Sequence, residues 1–174
     1  YTLGFILGPL MNTTGRLKSA KMAIELLIEE DIDDIYDKAR ELVKLNNERK
    51  SLTESAYKRA CQIIEENSYY KDDVIVVYDE NFNESICGIV AGRIKEKYYR
   101  PTIVLTKSKD ENIAKGSGRS IEAYNIYEEI LPFKDKLASF GGHPMACGLS
   151  IEITNIDEFR KFLNTNSKLS DMEK

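Results

Sequence analysis

The sequence predicts an α/β fold in which long N-terminal helices precede a mixed, mainly parallel β-sheet flanked by helices. Between Arg16 and Cys87 there is neither glycine nor proline, which favours long, uninterrupted helices. Two short runs rich in β-branched residues, 74–78 and 102–106, are typical of buried strands. The segment between these runs, 85–98, has helical spacing, which predicts a βαβ unit with parallel strands.

The region without glycine and proline divides into two predicted helices. Apolar residues keep helical spacing first over residues 20–28 and again over residues 35–64. Asp31 is placed to cap the second helix, and two further aspartates follow near its positive dipole end. A helix over residues 33–66 spans about 50 Å at 1.5 Å per residue, so we expect it to connect parts of the molecule. Its polar middle suits a solvent-crossing segment or a kink.

The remaining elements form a predicted α/β domain from about residue 70 to residue 174. Gly88 and Gly92 lie on one face of its first helix, where they allow a close approach to a neighbouring element. Two N-x-x-E sequences, beginning at Asn125 and Asn155, predict capping boxes at the starts of two more helices. Two further strands are predicted at residues 113–116 and 147–153.

Composition bounds the class of protein. With 174 residues, 42% hydrophobic and 31% charged, the chain has the composition of a globular protein, which excludes an intrinsically disordered or membrane-spanning one. Three cysteines form no C-x-x-C pair, so we expect reduced thiols in a cytoplasmic protein without membrane partners. The first residue is Tyr1, so we expect the chain to be a fragment of a longer protein.

The charge of the chain is unevenly distributed. The net charge is −4, yet residues 93–119 carry eight basic and three acidic residues, a local excess of five positive charges. A basic segment of this kind is either a solvated face or a surface that contacts phosphates. Charge alone does not distinguish these two interpretations, and phosphate binding needs support from the motifs in this region.

Three segments containing glycine are predicted to be loops, at residues 8–17, 116–120 and 140–148. In the second, GSGRS, Ser117 and Ser120 offer hydroxyl and backbone N–H groups. Arg119 offers a planar guanidinium that matches phosphate oxygens. The segment is therefore either an anion-binding cradle or an ordinary Gly-Ser turn with a surface arginine.

The third loop carries the single histidine of the chain, His143, after Gly141 and Gly142. A histidine here either contacts a phosphate, lies beside a metal, or is satisfied by backbone groups of a turn. One histidine without a nearby D-x-D or H-x-H pattern falls short of a metal-ligand set. Cys147 lies in an apolar context, so the sequence does not support a cysteine nucleophile.

Four blocks together resemble, in order and spacing, those of the bacterial RecJ exonuclease family within the DHH phosphoesterase superfamily. They are GPLMNTTGRL at 8–17, IVAGRIKEKYYRPTIVL at 89–105, KGSGRSIEAYNIYEEIL at 115–131 and FGGHPMACGLSI at 140–151. The glycine-histidine block occurs throughout the superfamily, whereas the four blocks together are specific to RecJ-like proteins.

The resemblance implies a division of the chain by function. Residues 1–17 become the tail of a catalytic DHH domain, residues 18–69 a helical connector whose long helix bridges the catalytic cleft, and residues 70–174 a DHH-associated domain. The implied activity is metal-dependent 5′ to 3′ degradation of single-stranded DNA in recombination and repair. In this family aspartates and histidines of the DHH domain hold two Mn²⁺ or Mg²⁺ ions. Those ligands would precede Tyr1, so the chain alone is expected to be inactive.

The resemblance also implies roles for particular residues. Ser117 and Arg119 would hold a 5′ phosphate, and Gly141, Gly142 and His143 would lie beside the scissile phosphate, with His143 as a candidate catalytic residue. The full set of predicted phosphate-binding residues is Asn12, Arg16, Ser117, Gly118, Arg119, Ser120, Gly141, Gly142 and His143. The implied partners are single-stranded DNA with a 5′ phosphate, a helicase and a single-strand-binding protein.

The chain departs from the family pattern at two places. Leu10 stands where the family commonly has arginine, which weakens the assignment of Arg16 as a direct phosphate ligand. Phe82 and Asn83 stand where the family often has Trp-His, which leaves a contact there lost or replaced. Two alternatives stay open: a phosphodiesterase acting on nanoRNA or cyclic dinucleotides, and a nucleic-acid or nucleotide-binding module that hydrolyses nothing.

Overall fold

The computed structural model describes residues 1–167 and Leu169, except the side chains of Leu3 and Ile6. Two compact units make up the chain, Tyr1–Glu54 and Ser55–Lys174, and each is described by itself. The predicted division by function at residues 17 and 69 follows a different criterion and stays a prediction. None of the helices in the described ranges is long and apolar enough to cross a membrane.

The first unit is helical. A π-helical segment, Thr2–Leu7, leads into helix α1, Gly8–Leu17, and helix α2 follows at Lys21–Ile28. The prediction of a loop at residues 8–17 is therefore wrong. Pro9 lies in the first turn of α1, where its missing N–H removes no helical hydrogen bond, so it starts this helix rather than breaking it.

Helix α3, Ile32–Glu66, begins in the first unit and ends in the second. Its bounds confirm the predicted helix to within one residue. The Asp31 carboxylate accepts the backbone N–H groups of Asp33 at 2.9 Å and Asp34 at 3.1 Å, which confirms the predicted cap. The polar middle does not interrupt the helix.

The second unit contains a five-stranded sheet with helices on both faces. Its elements in chain order are β1 Ile75–Tyr78, α4 Cys87–Tyr98, β2 Thr102–Lys107, β3 Ile113–Arg119, α5 Ile126–Ile130, β4 Leu137–His143, β5 Ala146–Glu152 and α6 Ile156–Thr165. The strand order is β1-β2-β3-β5-β4. The fold class, long helices followed by an α/β sheet, is thus confirmed.

Strand direction differs from the prediction in part. Strands β1 and β2 are parallel and joined through α4, as the βαβ unit requires. The pairs β2–β3, β3–β5 and β5–β4 are antiparallel, so the expectation of a mainly parallel sheet is wrong. The connections β2–β3 and β4–β5 are too short for a crossover, which leaves antiparallel pairing as the available geometry.

The two faces of the sheet are covered differently. Helix α4 packs on one face over β2 and β3, with Val90, Ala91 and Ile94 buried. The main hydrophobic core, which includes Ile126 of α5 and Phe159 of α6, covers the other face. On the first face, helix α4 therefore covers mainly strands β2 and β3.

The two predicted capping boxes have different outcomes. The Asn125 side chain accepts the Glu128 N–H at 3.3 Å and caps α5, as predicted. The Asn155 side chain makes no capping hydrogen bond at α6, so that cap is wrong although the helix is present. A 3₁₀ turn, Ile153–Asn155, leads directly into α6 and places Asn155 in a helical conformation.

Candidate phosphate-binding site

The GSGRS and GGH blocks lie in β-strands, which corrects their prediction as loops. Residues 116–119 form the second half of β3, and residues 141–143 end β4. Only the two residues between β4 and β5, Pro144 and Met145, form the turn of that hairpin. The chemistry of the two blocks is therefore presented by a rigid sheet.

Strand register brings the two blocks together across β5. Arg119 pairs with Ala146, and Ala146 pairs with His143. Two residues along the strands, Ser117 pairs with Gly148, and Gly148 pairs with Gly141. Directly paired residues and alternate residues share a face of an antiparallel sheet, so these six residues lie on the same face. We call this surface the open face (Ser117, Arg119, Gly141, His143, Ala146 and Gly148).

The open face consists of small and polar residues. Its central strand contributes only Ala146 and Gly148, so no bulky side chain separates β3 from β4. Adjacent strands lie about 4.8 Å apart, which separates the two outer strands by roughly 10 Å. Gly141, Gly148 and His143 are exposed, and Ser117 and Arg119 are half-buried. This surface therefore presents one hydroxyl and one guanidinium group on β3 and one imidazole group on β4.

Arg119 carries the positive charge of the open face. Its Nη1 donates a hydrogen bond of 2.7 Å to the carbonyl oxygen of Gly118. Among the described residues, no carboxylate lies within 4.0 Å of its guanidinium. A half-buried guanidinium without an acidic partner is suited to an anion from outside the chain.

Three other predicted residues have structural roles. The Ser120 hydroxyl is buried and donates to the Tyr124 carbonyl oxygen at 2.5 Å, while its N–H donates to Met145. Gly118 points to the opposite face, where a Cβ would lie 2.7 Å from Cys147 Sγ. A Cβ placed on Gly142 would lie 2.4 Å from the Ala146 carbonyl oxygen of β5. These surroundings are all within the chain, and the predicted contact of these three residues with phosphate stays a prediction.

His143 lies at the end of β4 with an exposed side chain. Its Nδ1 accepts the backbone N–H of Met145 at 3.3 Å, a weak bond that closes the hairpin turn. This contact uses Nδ1 and leaves Nε2 directed away from that bond. The turn and the ligand interpretations of this histidine are thus compatible, since each uses a different nitrogen.

The cysteines near the site are poor nucleophiles. Burial raises the pKa of the Cys147 thiol to about 11 and that of Cys87 to about 12. Both thiols are therefore protonated at neutral pH, whereas a nucleophilic cysteine has to be a thiolate. This agrees with the sequence-based rejection of cysteine catalysis.

The family resemblance implies two divalent metal ions, which need several carboxylate or imidazole ligands close together. Nowhere in residues 1–167 or at Leu169 do three or more His, Cys, Asp or Glu side chains converge in a way that could hold an ion. His143 is the single imidazole, and the open face carries no carboxylate. The described residues do not fit a metal centre, and no metal-dependent step is assigned to them.

Asn12 and Arg16 belong to the first compact unit, where they lie four residues apart and exposed on one face of α1. Beneath them, the Thr13 hydroxyl lies 3.1 Å from Asn46 Oδ1 of α3, an oxygen that also accepts from Arg49 Nη2 at 3.0 Å. Burial, followed by the nearby charge of Arg16, lowers the pKa of Arg49. Arg49 is thus partly buried against Asn46, although it lies in the polar middle of α3.

Similarity to known proteins agrees with the blocks that form this surface. Over 163 residues, the chain is 36% identical to the single-stranded-DNA-specific exonuclease RecJ of Bacillus subtilis. The match covers 94% of this chain and 21% of that protein, so the chain spans about a fifth of the relative's length.

Solved structures share the fold. A RecJ structure from Thermus thermophilus in complex with Mg²⁺ superposes with a TM-score of 0.81 at 24% identity, covering 94% of this chain and 25% of that one. An exonuclease RecJ bound to manganese superposes with a TM-score of 0.84 at 24% identity, covering 98% and 42%. The model of the DHHA1 domain matches residues 71–168, the part of the chain that contains the open face. This match and the RecJ-like blocks agree that the chain belongs to the DHHA1 domain family.

Proposed function

We propose that this chain is the substrate-binding part of a metal-dependent exonuclease that degrades single-stranded DNA from its 5′ end. The observation that carries the proposal is the strand register that brings Ser117 and Arg119 to one side of the open face and His143 to the other. The similarity to RecJ proteins supports this activity and substrate. In the whole protein the chain would take part in recombination and repair in the cytoplasm, with a helicase and a single-strand-binding protein as partners.

The residues of the open face would act by positioning and neutralising charge. The Arg119 guanidinium and the Ser117 hydroxyl would bind the non-bridging oxygens of the 5′ phosphate. Gly141 has no side chain, so it would leave space for the DNA strand at this end of β4. His143 Nε2 would contact the neighbouring scissile phosphate. Holding the strand by its end in this way fixes which phosphodiester bond meets the catalytic groups.

The metal chemistry is assigned to residues outside this chain. We infer that the Mn²⁺ or Mg²⁺ ligands precede Tyr1 and that the chain alone hydrolyses nothing. Purified chain incubated with 5′-labelled single strands and either metal is expected to release no nucleotides above a heat-treated control. Metal-dependent release that a chelator abolishes would place a catalytic centre within the chain and contradict the proposal.

The assignment of the 5′ phosphate is tested with Arg119→Ala in the intact protein. Loss of a charge-assisted contact worth about 1.5 to 3 kcal/mol is expected to weaken binding of a 5′-phosphorylated single strand roughly tenfold to a hundredfold. A strand with a 5′ hydroxyl never uses the contact, so its affinity should change little. Binding is measured with a catalytically silent metal such as Ca²⁺, so that the substrate stays intact.

Arg119→Lys serves as the matched variant. It retains the charge but not the planar, two-pronged geometry, so it should restore only part of the affinity for the phosphorylated strand. Equal losses on both 5′ ends would show instead that Arg119 is a surface arginine without a phosphate-specific role.

A further inference from the structure

Gly88, in the first turn of α4, lies directly beneath the Arg119 guanidinium. A Cβ placed on Gly88 would lie 2.7 Å from Arg119 Nη2, 3.2 Å from Cζ and 3.5 Å from Nη1. The first distance is shorter than any ordinary carbon–nitrogen contact, so the guanidinium occupies space that only a glycine leaves free. The guanidinium is held in this space by the Nη1 bond to the Gly118 carbonyl oxygen, and the missing side chain of Gly88 leaves room for it there.

Gly92, one helical turn later, shows that this property is not shared by the helix as a whole. No atom lies within 4 Å of a Cβ placed on Gly92. The expectation that both glycines allow the helix to approach a neighbouring element is therefore confirmed for Gly88 alone, and the group that approaches is the arginine. The two glycines thus form a matched pair on one helix.

We propose that Gly88 is a positioning residue for Arg119, which sets where the guanidinium meets the 5′ phosphate. This inference rests on the proposed function. With a side chain at position 88, the guanidinium has to leave α4 and lose its present direction. Since bidentate binding of a phosphate depends on the direction of the N–H groups as well as on charge, a displaced arginine binds the phosphate less tightly.

The fold should tolerate this change. The atoms that a new Cβ would meet belong to the end of a long, flexible side chain, which can move without displacing backbone. Alanine also favours a helix more than glycine does, so the substitution supports α4 itself. The effect of Gly88→Ala should therefore appear in phosphate binding and not in folding.

The test uses the intact protein with Gly88→Ala, Gly92→Ala, Arg119→Ala and the double variant Gly88→Ala/Arg119→Ala. Affinities for single strands with a 5′ phosphate and with a 5′ hydroxyl are measured for each, with thermal unfolding as the control for folding. Gly88→Ala should weaken binding of the phosphorylated strand by about fivefold or more and leave the hydroxyl strand unchanged, because displacing the arginine removes part of its contact. Gly92→Ala should change neither affinity.

The double variant separates positioning from a general structural effect. If Gly88 acts through Arg119, adding Gly88→Ala to Arg119→Ala should produce no further loss. A further loss in the double variant, or equal behaviour of Gly88→Ala and Gly92→Ala, overturns the inference. If Arg119→Ala is phosphate-selective while Gly88→Ala is silent, only this inference fails; if Arg119→Ala is unselective, the proposed function fails and the inference with it.

Discussion

Single glycines in the GGH block have separate roles, although they are adjacent in sequence. Gly141 projects from the open face, and no atom lies within 4 Å of a Cβ placed on it. Gly142 projects toward β5, where a Cβ would lie 2.4 Å from the Ala146 carbonyl oxygen and 2.7 Å from Cys147 Cα. These neighbours are backbone atoms of a paired strand, so they cannot move aside as a flexible side chain can.

This difference predicts opposite outcomes for two adjacent substitutions. Gly142→Ala should lower the free energy of unfolding by about 1 to 3 kcal/mol, the usual range for overpacking, since it forces β4 away from β5. Gly141→Ala should change it by less than about 0.5 kcal/mol. Urea denaturation of both variants measures this, and equal effects would mean that β4 does not lie against β5 as described.

At the scale of secondary structure, most of the helices could be predicted, whereas α1, β4 and the second half of β3 could not. Helix α3 follows from an uninterrupted helical period and the Asp31 cap, both of which are local properties of the sequence. The second half of β3 and the end of β4 consist of glycine, serine and single polar residues, which lack β-branched side chains and apolar alternation. Pairing with β5 determines their extended conformation, and that pairing is not local.

The sequence predicts the residue types of the candidate site but not their arrangement in space. Ser117, Arg119 and His143 stand out as phosphate-binding residue types in the sequence alone. Their assembly depends on the register of three strands, which no local pattern specifies. Gly88 illustrates the same limit, because its contact with Arg119 depends on how α4 packs over β3.

One side chain joins α6 to the sheet through backbone groups. Asn164 Oδ1 accepts the Val74 N–H at 2.9 Å, and Asn164 Nδ2 donates to the Val74 carbonyl oxygen at 3.0 Å. Val74 immediately precedes β1 and is fully buried. The side-chain amide of Asn164 therefore satisfies backbone groups of Val74 that water does not reach.

Loss of this amide should therefore be costly. Asn164→Ala leaves the Val74 N–H and C=O without their partner and should lower the free energy of unfolding by about 2 kcal/mol or more. Asn166→Ala is the matched control, because within residues 1–167 its exposed side chain bonds only to the Phe162 carbonyl oxygen of its own helix. Chemical denaturation distinguishes the two variants, and a loss for Asn164→Ala no larger than for Asn166→Ala would contradict this role.

In the molecule as a whole, some basic residues of the segment 93–119 lie against a carboxylate or an aromatic ring of the chain, and others do not. Lys107 and Lys115 pair with glutamates, and Arg93 and Lys97 lie over tyrosine rings. In the described part of the chain, the basic residues of this segment that lack a carboxylate within ion-pair distance and do not lie over a ring are Lys95, Arg100, Lys109 and Arg119. The excess of five positive charges therefore overstates the number of phosphate contacts that this segment can make.

This count determines the salt dependence expected when the 174-residue chain binds single-stranded DNA. Because each phosphate contact contributes a slope of about −0.7 to the plot of log affinity against log salt, four contacts set the steepest expected slope at roughly −2.8. Affinity should accordingly fall by at most about fiftyfold between 50 and 200 mM salt. Arg119→Ala should reduce the slope by about one contact, whereas substitution of Lys107, already paired with Glu111, should change it less. Fluorescence anisotropy over a salt titration measures these slopes. A slope near zero, or tighter binding to duplex than to single strands, would rule out the open face as a surface for the backbone of single-stranded DNA.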